Sequence, residues 1–343
     1  MGFWVWIFSI GFVQLFQLPR PRFAPNKSGK HFLLSIFLEC SEILCPEMAK
    51  LPFFIVDVFA EMKYAGNPLA VVTGAAALSD REMQHIAQEM NYSETTFVLS
   101  DEPRAGSYDV RIFTPAQELP FAGHPTLGTA FIIQQALIGQ PVETVYLNLK
   151  VGQIPVTMSY RDRSQPDILW MQQQPPRFQE TLAAAPLAAI LNLDLSDLDD
   201  RFPIQDVSTG VPFIIVPLKT IQALKRITVN RTQYFDLIET TDAKAILAFC
   251  PETYQPENQL SVRVFADYLG VPEDPATGSA NGCLAGYLVH HRYFGEDRIN
   301  LRVEQGYEID RPSLLLLQAQ KQGTAITVNV GGKVVAIARG ELE

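Results

Sequence analysis

The chain has 343 residues, 47% of them hydrophobic and 19% charged, with a formal net charge of -10 and a pI near 5.1. That length predicts two domains with sizeable cores, and the acidic balance without any lysine or arginine run excludes a phosphate-tracking surface and hence a nucleic-acid partner. Four cysteines without a CxxC pair and five histidines without HExxH or HxH spacing point to neither a disulfide framework nor a metal site.

The chain opens on MGFWVWIFSIGFVQLF, an apolar run of about 16 residues, short of the roughly 20 that a spanning helix needs and lacking the basic flank of a signal peptide. A second apolar patch, HFLLSIFLEC, precedes Met48, where a well-patterned strand begins. The expectation is a fold that starts near Met48, with 1–47 an extension outside it; an inefficient signal or anchor is the rival reading. PFFIVDVFA and LAVVTG, joined by the AGNP turn, read as a β pair. Ser79 and Glu82 form a capping box for a helix whose apolar positions are Met83, Ile86, Ala87 and Met90, with Asn91 as its stop. Glu94 then sits where helix hands over to the strand TTFV.

YDVRIFTP is a strand leading into AQELPFAGHPTLGTAFIIQQALIG, a turn followed by a helix from about Thr126 to Ala136 with almost no charged face, which predicts burial on all sides. TVYLNLK and IPVTMSY are strands, RDRSQPD a polar turn, and MQQQPPRF a linker. Strand-like FPIQDVSTGVPFIIVPL is followed by helix-prone ALKRITV and YFDLIETTDAKAILAF, and then by the strand SVRVFADY. EDPATGSANGCLAGYLVHHRYFG supplies a second glycine-rich turn and apolar helix, before four closing strands. The two turn-plus-helix segments are counterparts. They suggest an α+β fold of two similar β-rich domains, 48–168 and 169–343, each wrapped round one central helix, with the helix starts facing a shared cleft.

GHPTLG and ATGSAN place backbone N–H groups and a positive dipole end at a helix start, which suits a carboxylate or phosphate. Gly123, Gly128, Gly278 and Gly282 allow close approach, with tight packing as the bland alternative. His124 is an acid/base or hydrogen-bonding candidate, or a residue satisfied locally. Asp274, before Pro275, is by default a cap or turn former, and Ser279 likewise a cap. No GxSxG elbow, GxGxxG or GxxxxGK[ST] is present, so neither nucleophilic catalysis nor a nucleotide cofactor has support, and Cys283 reads as a small core residue.

From about Leu51 to Glu343 the sequence resembles the PhzF phenazine-biosynthesis family, of the diaminopimelate-epimerase-like fold. The resemblance rests on VDVFAEMKYAGNPLAVV, NYSETTFV, RIFTPAQELPFAGHPTLGTA, DPATGSANGCLAGYL, EQGYEIDRPS and VGGKVVAIARGEL. It implies two domains of like topology, with the last strand able to return to the first, a homodimer, and a cofactor-independent cytoplasmic isomerase that moves a proton on a small cyclic carboxylate. It implies Glu94, Asp274 and His124 as catalytic residues, and Gly123, His124, Gly278, Ser279 and Asn67 as substrate-binding ones, with no metal, membrane or nucleic-acid partner. A glutamate raised towards neutrality by an apolar cleft suits such a transfer. Racemases of the wider fold carry a cysteine at each helix start; here neither turn has one. A non-catalytic anion binder and an amino-acid epimerase are the alternatives.

Overall fold

The computed structural model describes residues 50–161 and 165–343. Met48, the two early apolar patches and part of the RDRSQPD turn lie outside the described residues. β1 (Leu51–Val58) pairs antiparallel with β2 (Asn67–Val72) on one side and with the last strand, Val334–Leu342, on the other. β2 runs parallel to β3 (Glu94–Val98), and the crossover is helix α1 (Asp80–Met90). That helix starts and stops where local chemistry dictates. The Ser79 side chain and Glu82 close a reciprocal capping box, and Asn91 ends the helix at φ 52, in the left-handed region. β3 pairs antiparallel with β4 (Tyr108–Phe113).

The first central helix spans Gly123–Ile132 and all ten residues are buried, as its all-round apolar sequence predicts. It begins three residues earlier than expected, so GHP is its first turn and not a separate one. Pro125 is tolerated there because a first-turn N–H has no intrahelical acceptor. The helix passes into a π-helical turn over Ile133–Ile138. It can lie against β1 and β2 only because position 128 is glycine: a Cβ there would fall 2.6 Å from Leu69 Cδ2 and 2.9 Å from Val58 Cγ2. The second central helix, Gly278–His290, is buried over eleven positions, among them Cys283. It packs on the strands Ser313–Gln322 and Ala325–Gly332, and one continuous apolar core surrounds both central helices.

Three differences from the sequence reading have physical causes. AKAILAF is not a helical tail: Ala245–Cys250 is a fully buried strand, parallel to Pro212–Pro217. A short, wholly apolar run fits a buried strand as well as a helix, and here the sheet takes it. MQQQPPRF is not a free linker, since its ends belong to the strands Ile168–Gln172 and Arg177–Leu182, the latter paired with Ile204–Ser208. The helix Ala184–Leu191 was not foreseen; with Arg231–Ile238 it covers the outer face of the second half's sheet through Leu187, Leu191 and Tyr234. Among the described residues no helix is long and apolar enough to cross a membrane.

Candidate active site

The two central helices begin almost in contact. A Cβ built on Gly123 would lie 3.1 Å from the Ser279 backbone nitrogen, and one on Gly278 would lie 3.7 Å from the Gly123 Cα and 3.2 Å from the Phe59 ring. Only glycines let the two backbones come this close. Neither helix is capped by a side chain: Ala122 has nothing to offer, and the Thr277 hydroxyl is given to Asp274. The first-turn N–H groups and both dipole ends are thus left for a ligand between them. A cavity of about 390 Å³ opens at this point. Glu94, His124, Asp274, Thr277 and Ser279 line it, together with the apolar side chains of Leu119, Phe121, Val211, Phe213 and Leu269.

Glu94 is the first residue of β3, brought to the cavity by the sharp stop of α1 at Asn91; the four residues after it are buried. Its side chain is 16% exposed, and Oε2 has no hydrogen-bond partner. That oxygen lies 3.4 Å from His124 Nε2, which is itself unpartnered. Burial, then the negative charge of Asp274, pushes the Glu94 carboxyl up to about 8. Burial drives His124 the other way, to about 3, against a hydrogen bond to the Pro68 backbone. Pro68 has no N–H and offers only its carbonyl, so the ring donates from Nδ1 and turns a bare Nε2 lone pair towards Glu94. Near neutral pH the contact is therefore a carboxylic acid facing a neutral imidazole, not an ion pair.

Asp274 is held where Glu94 is left free. Its Oδ1 accepts from Asn67 Nδ2 at 2.9 Å and its Oδ2 from the Thr277 hydroxyl. Burial raises it to about 6, and these two bonds restrain the rise. Gln305 ties the loop together, donating to the Asp274 carbonyl at 2.7 Å and accepting from the Thr277 N–H at 3.1 Å and Asn281 Nδ2 at 2.9 Å. Asn67 is not on the cavity wall: it is fully buried, and it also donates to the Ala276 carbonyl at 2.9 Å, so it acts on the site through Asp274. Asp274 and Ser279 are not helix caps. The cap position is Thr277, and Ser279 is the second helical residue, on the cavity wall. Thr277 and Gln305 were not foreseen; Gln305 falls within EQGYE, but nothing local in that segment tells what it will bond.

A family model described as phenazine biosynthesis-like protein matches residues 56–340. The chain belongs to this family, PhzF, and is an isomerase of it. An uncharacterized isomerase of Mesorhizobium japonicum is 33% identical over 298 residues, 84% of this chain and 98% of the relative. The trans-2,3-dihydro-3-hydroxyanthranilate isomerase of Pseudomonas aeruginosa is 34% identical over 291 residues, with the same two coverages. A solved PhzF-family structure from Bacillus anthracis superposes with TM-score 0.78 at 28% identity, covering 86% of this chain and 100% of that one. A hydroxyproline epimerase from Agrobacterium vitis shares the fold, with TM-score 0.55 at 12% identity over 85% of this chain and 91% of that one.

Among the described residues of this PhzF protein no cysteine lines the cavity. Of the described cysteines, Cys250 is buried elsewhere, and Cys283 sits inside the second central helix with its thiol near Thr209 and the Val211 carbonyl, pushed up to about 12 by burial. A thiol held that far above neutrality is a core group and not a base. The geometry offers carboxyl and imidazole chemistry instead.

Proposed function

We propose that this PhzF isomerase moves a proton between two carbons of a small, cyclic carboxylate, with Glu94 as the general acid/base and no cofactor. The observation that carries the reading is the unpartnered Glu94 Oε2 facing the bare Nε2 of His124 beside two uncapped helix starts. As a carboxylate, Glu94 would accept a proton from a substrate C–H, whose electron pair passes into the substrate's own unsaturated system. As the acid so formed, it would return that proton to a second carbon. The proton is given back, so nothing is oxidised and no electron carrier is called for. A group raised to about 8 is a strong base when ionised and still an adequate acid when protonated. The substrate carboxylate would lie on the N–H groups of Gly123, Gly278 and Ser279, with Asp274 and His124 orienting its polar substituents and Phe121 and Phe213 against the ring.

The substrate named for the Pseudomonas relative, trans-2,3-dihydro-3-hydroxyanthranilate, is the first compound to offer. In heavy water, the product should carry deuterium at the newly protonated carbon, to the extent that the Glu94 proton exchanges with solvent before its return. Glu94→Gln should slow turnover by about 10²–10⁴-fold. A variant with full activity would remove Glu94 from the chemistry; a variant that binds the compound while neither protein turns it over would make the cleft a carboxylate-binding site. The two matching helix starts support two similar domains, and we extend the proposal to a cytoplasmic homodimer. Light scattering at twice the monomer mass tests the assembly.

A further inference from the structure

A second cavity, of about 470 Å³, shares no lining residue with the first and lies on the outer face of the second half's sheet. Asp206, in the strand Ile204–Ser208, lines it. That strand pairs Gln205 with Thr181 and Val207 with Phe178, so Gln179 and Glu180 together oppose Asp206 in a bulge of the edge strand. Pro186 and Leu187 of one outer helix, Leu237 of the other, and the loop Thr240–Asp242 also line the cavity.

Apart from the exposed Gln179 amide, the polar side chains lining this cavity can offer it acceptor oxygens. Asp206 is 5% exposed; its Oδ2 accepts from the Ala243 N–H at 3.1 Å, but Oδ1 has no partner. The Thr240 and Thr241 hydroxyls spend their hydrogens on the Leu237 and Ala243 carbonyls at 2.9 and 2.8 Å, which leaves their lone pairs to the cavity. Glu180 and Asp242, both exposed, add carboxylates, and among the described residues no lysine, arginine or histidine lines the space. The nearby Lys244 ammonium is committed to the Ile238 and Thr241 carbonyls. A buried carboxylate oxygen without a donor is costly, and a donor-rich cation would relieve it. Burial and the charge of Asp242 both raise the Asp206 carboxyl, against the bond from Ala243, as an unmet demand for positive charge requires.

The remaining wall decides the kind of cation. Leu182, Pro186, Leu187 and Leu237 make it apolar, and among the described residues no three His, Cys, Asp or Glu side chains assemble as metal ligands. We infer that this cavity is a binding site for a small primary alkylammonium ion, its N–H groups on Asp206 Oδ1 and the threonine oxygens and its alkyl chain against the leucines. An ammonium head supplies three donors to a set of acceptors that lacks them.

Titration calorimetry of the full chain with n-butylammonium chloride tests this. Saturable binding is expected, weakened about tenfold or more in Asp206→Asn by loss of one charge-assisted hydrogen bond. Tetramethylammonium, with the same charge but no N–H, should bind at least as weakly as that variant allows. Glu94→Gln should leave butylammonium affinity unchanged, which separates this site from the catalytic one. If Asp206→Asn does not fold, the exposed Asp242→Asn serves in its place, with a loss of about threefold, as a screened exposed charge gives. Absence of saturable binding, equal binding by wild type and the folded acidic-site variants, equal binding of tetramethylammonium, or Asp206-dependent binding of magnesium or calcium without butylammonium would each overturn the inference.

Discussion

At the first central helix start, His124 occupies the second helical position, and its Nε2 faces Glu94 Oε2 across 3.4 Å with neither atom hydrogen-bonded. At the second, Ser279 occupies the same position, and the carboxylate beside it, Asp274, is bonded to Asn67 and Thr277 within a loop tied by Gln305. The backbone device is the same: a glycine at the first helical position and first-turn N–H groups that no side chain caps. What differs is how the neighbouring carboxylate is satisfied. A carboxylate whose lone pairs are occupied keeps one orientation and a lower affinity for protons, and one left bare in a desolvated site holds its proton and is free to transfer it. The pair of starts thus divides one cleft into a fixed side and a reactive side.

The largest effect that would break this division concerns turnover. Glu94→Gln should cost about 10²–10⁴-fold in the deuterium assay, whereas Asp274→Asn, which misplaces rather than removes the acid/base, should cost at least about tenfold less. Equal losses would mean that both carboxylates transfer protons. Next comes the pH profile of kcat/KM. It should rise through about 8 as Glu94 ionises, and Asp274→Asn should move that midpoint down because the like charge is gone. A midpoint that stays put would show the two carboxylates to be uncoupled.

Stability gives a third, smaller reading. A carboxyl raised on folding binds its proton more tightly in the folded chain, so its contribution is complete below its ordinary 4.5 and fades as pH rises through about 8. Glu94→Gln should therefore become more stable relative to wild type by about 1.4 kcal/mol per pH unit across that window, measured by urea unfolding. His124, lowered on folding, runs the opposite way, and its contribution is lost as pH falls from 6.5 towards about 3. The smallest effect is expected from Gly123→Ala. Its Cβ would press on the Ser279 backbone nitrogen at 3.1 Å, costing about 1–3 kcal/mol and raising KM more than it lowers kcat.

Much of this was legible in the chain because it is local. The Ser79–Glu82 box, the Asn91 stop and the apolar central helices follow from neighbours within one or two turns. So does the apolar strand behind Glu94, whose burial supplies the desolvation expected of it. The strand Ala245–Cys250 was misread because six apolar residues carry no period, and only the parallel neighbour Pro212–Pro217 makes them a strand. Ser279 was misread as a cap because the helix begins one residue before it, after an N-cap threonine whose hydroxyl is drawn away by Asp274. Asn67 and Gln305 could be placed near the site by resemblance or not at all, since each acts by bonding to atoms far along the chain.

The sequence by itself determined the chemical groups, the glycines that let two helix starts meet, and the turns and caps that bring Glu94 to the head of a strand. Tertiary structure alone decided that Asn67 would meet Asp274 across 207 positions, and that Glu94 Oε2 and His124 Nε2 would face each other without partners. The reason is that proton affinity is set by surroundings and not by identity. Withdrawal from water and the charge of a distant residue raise Glu94 towards 8 and leave Asp274 near 6, and neither influence exists until the two halves of the chain have closed on one cavity.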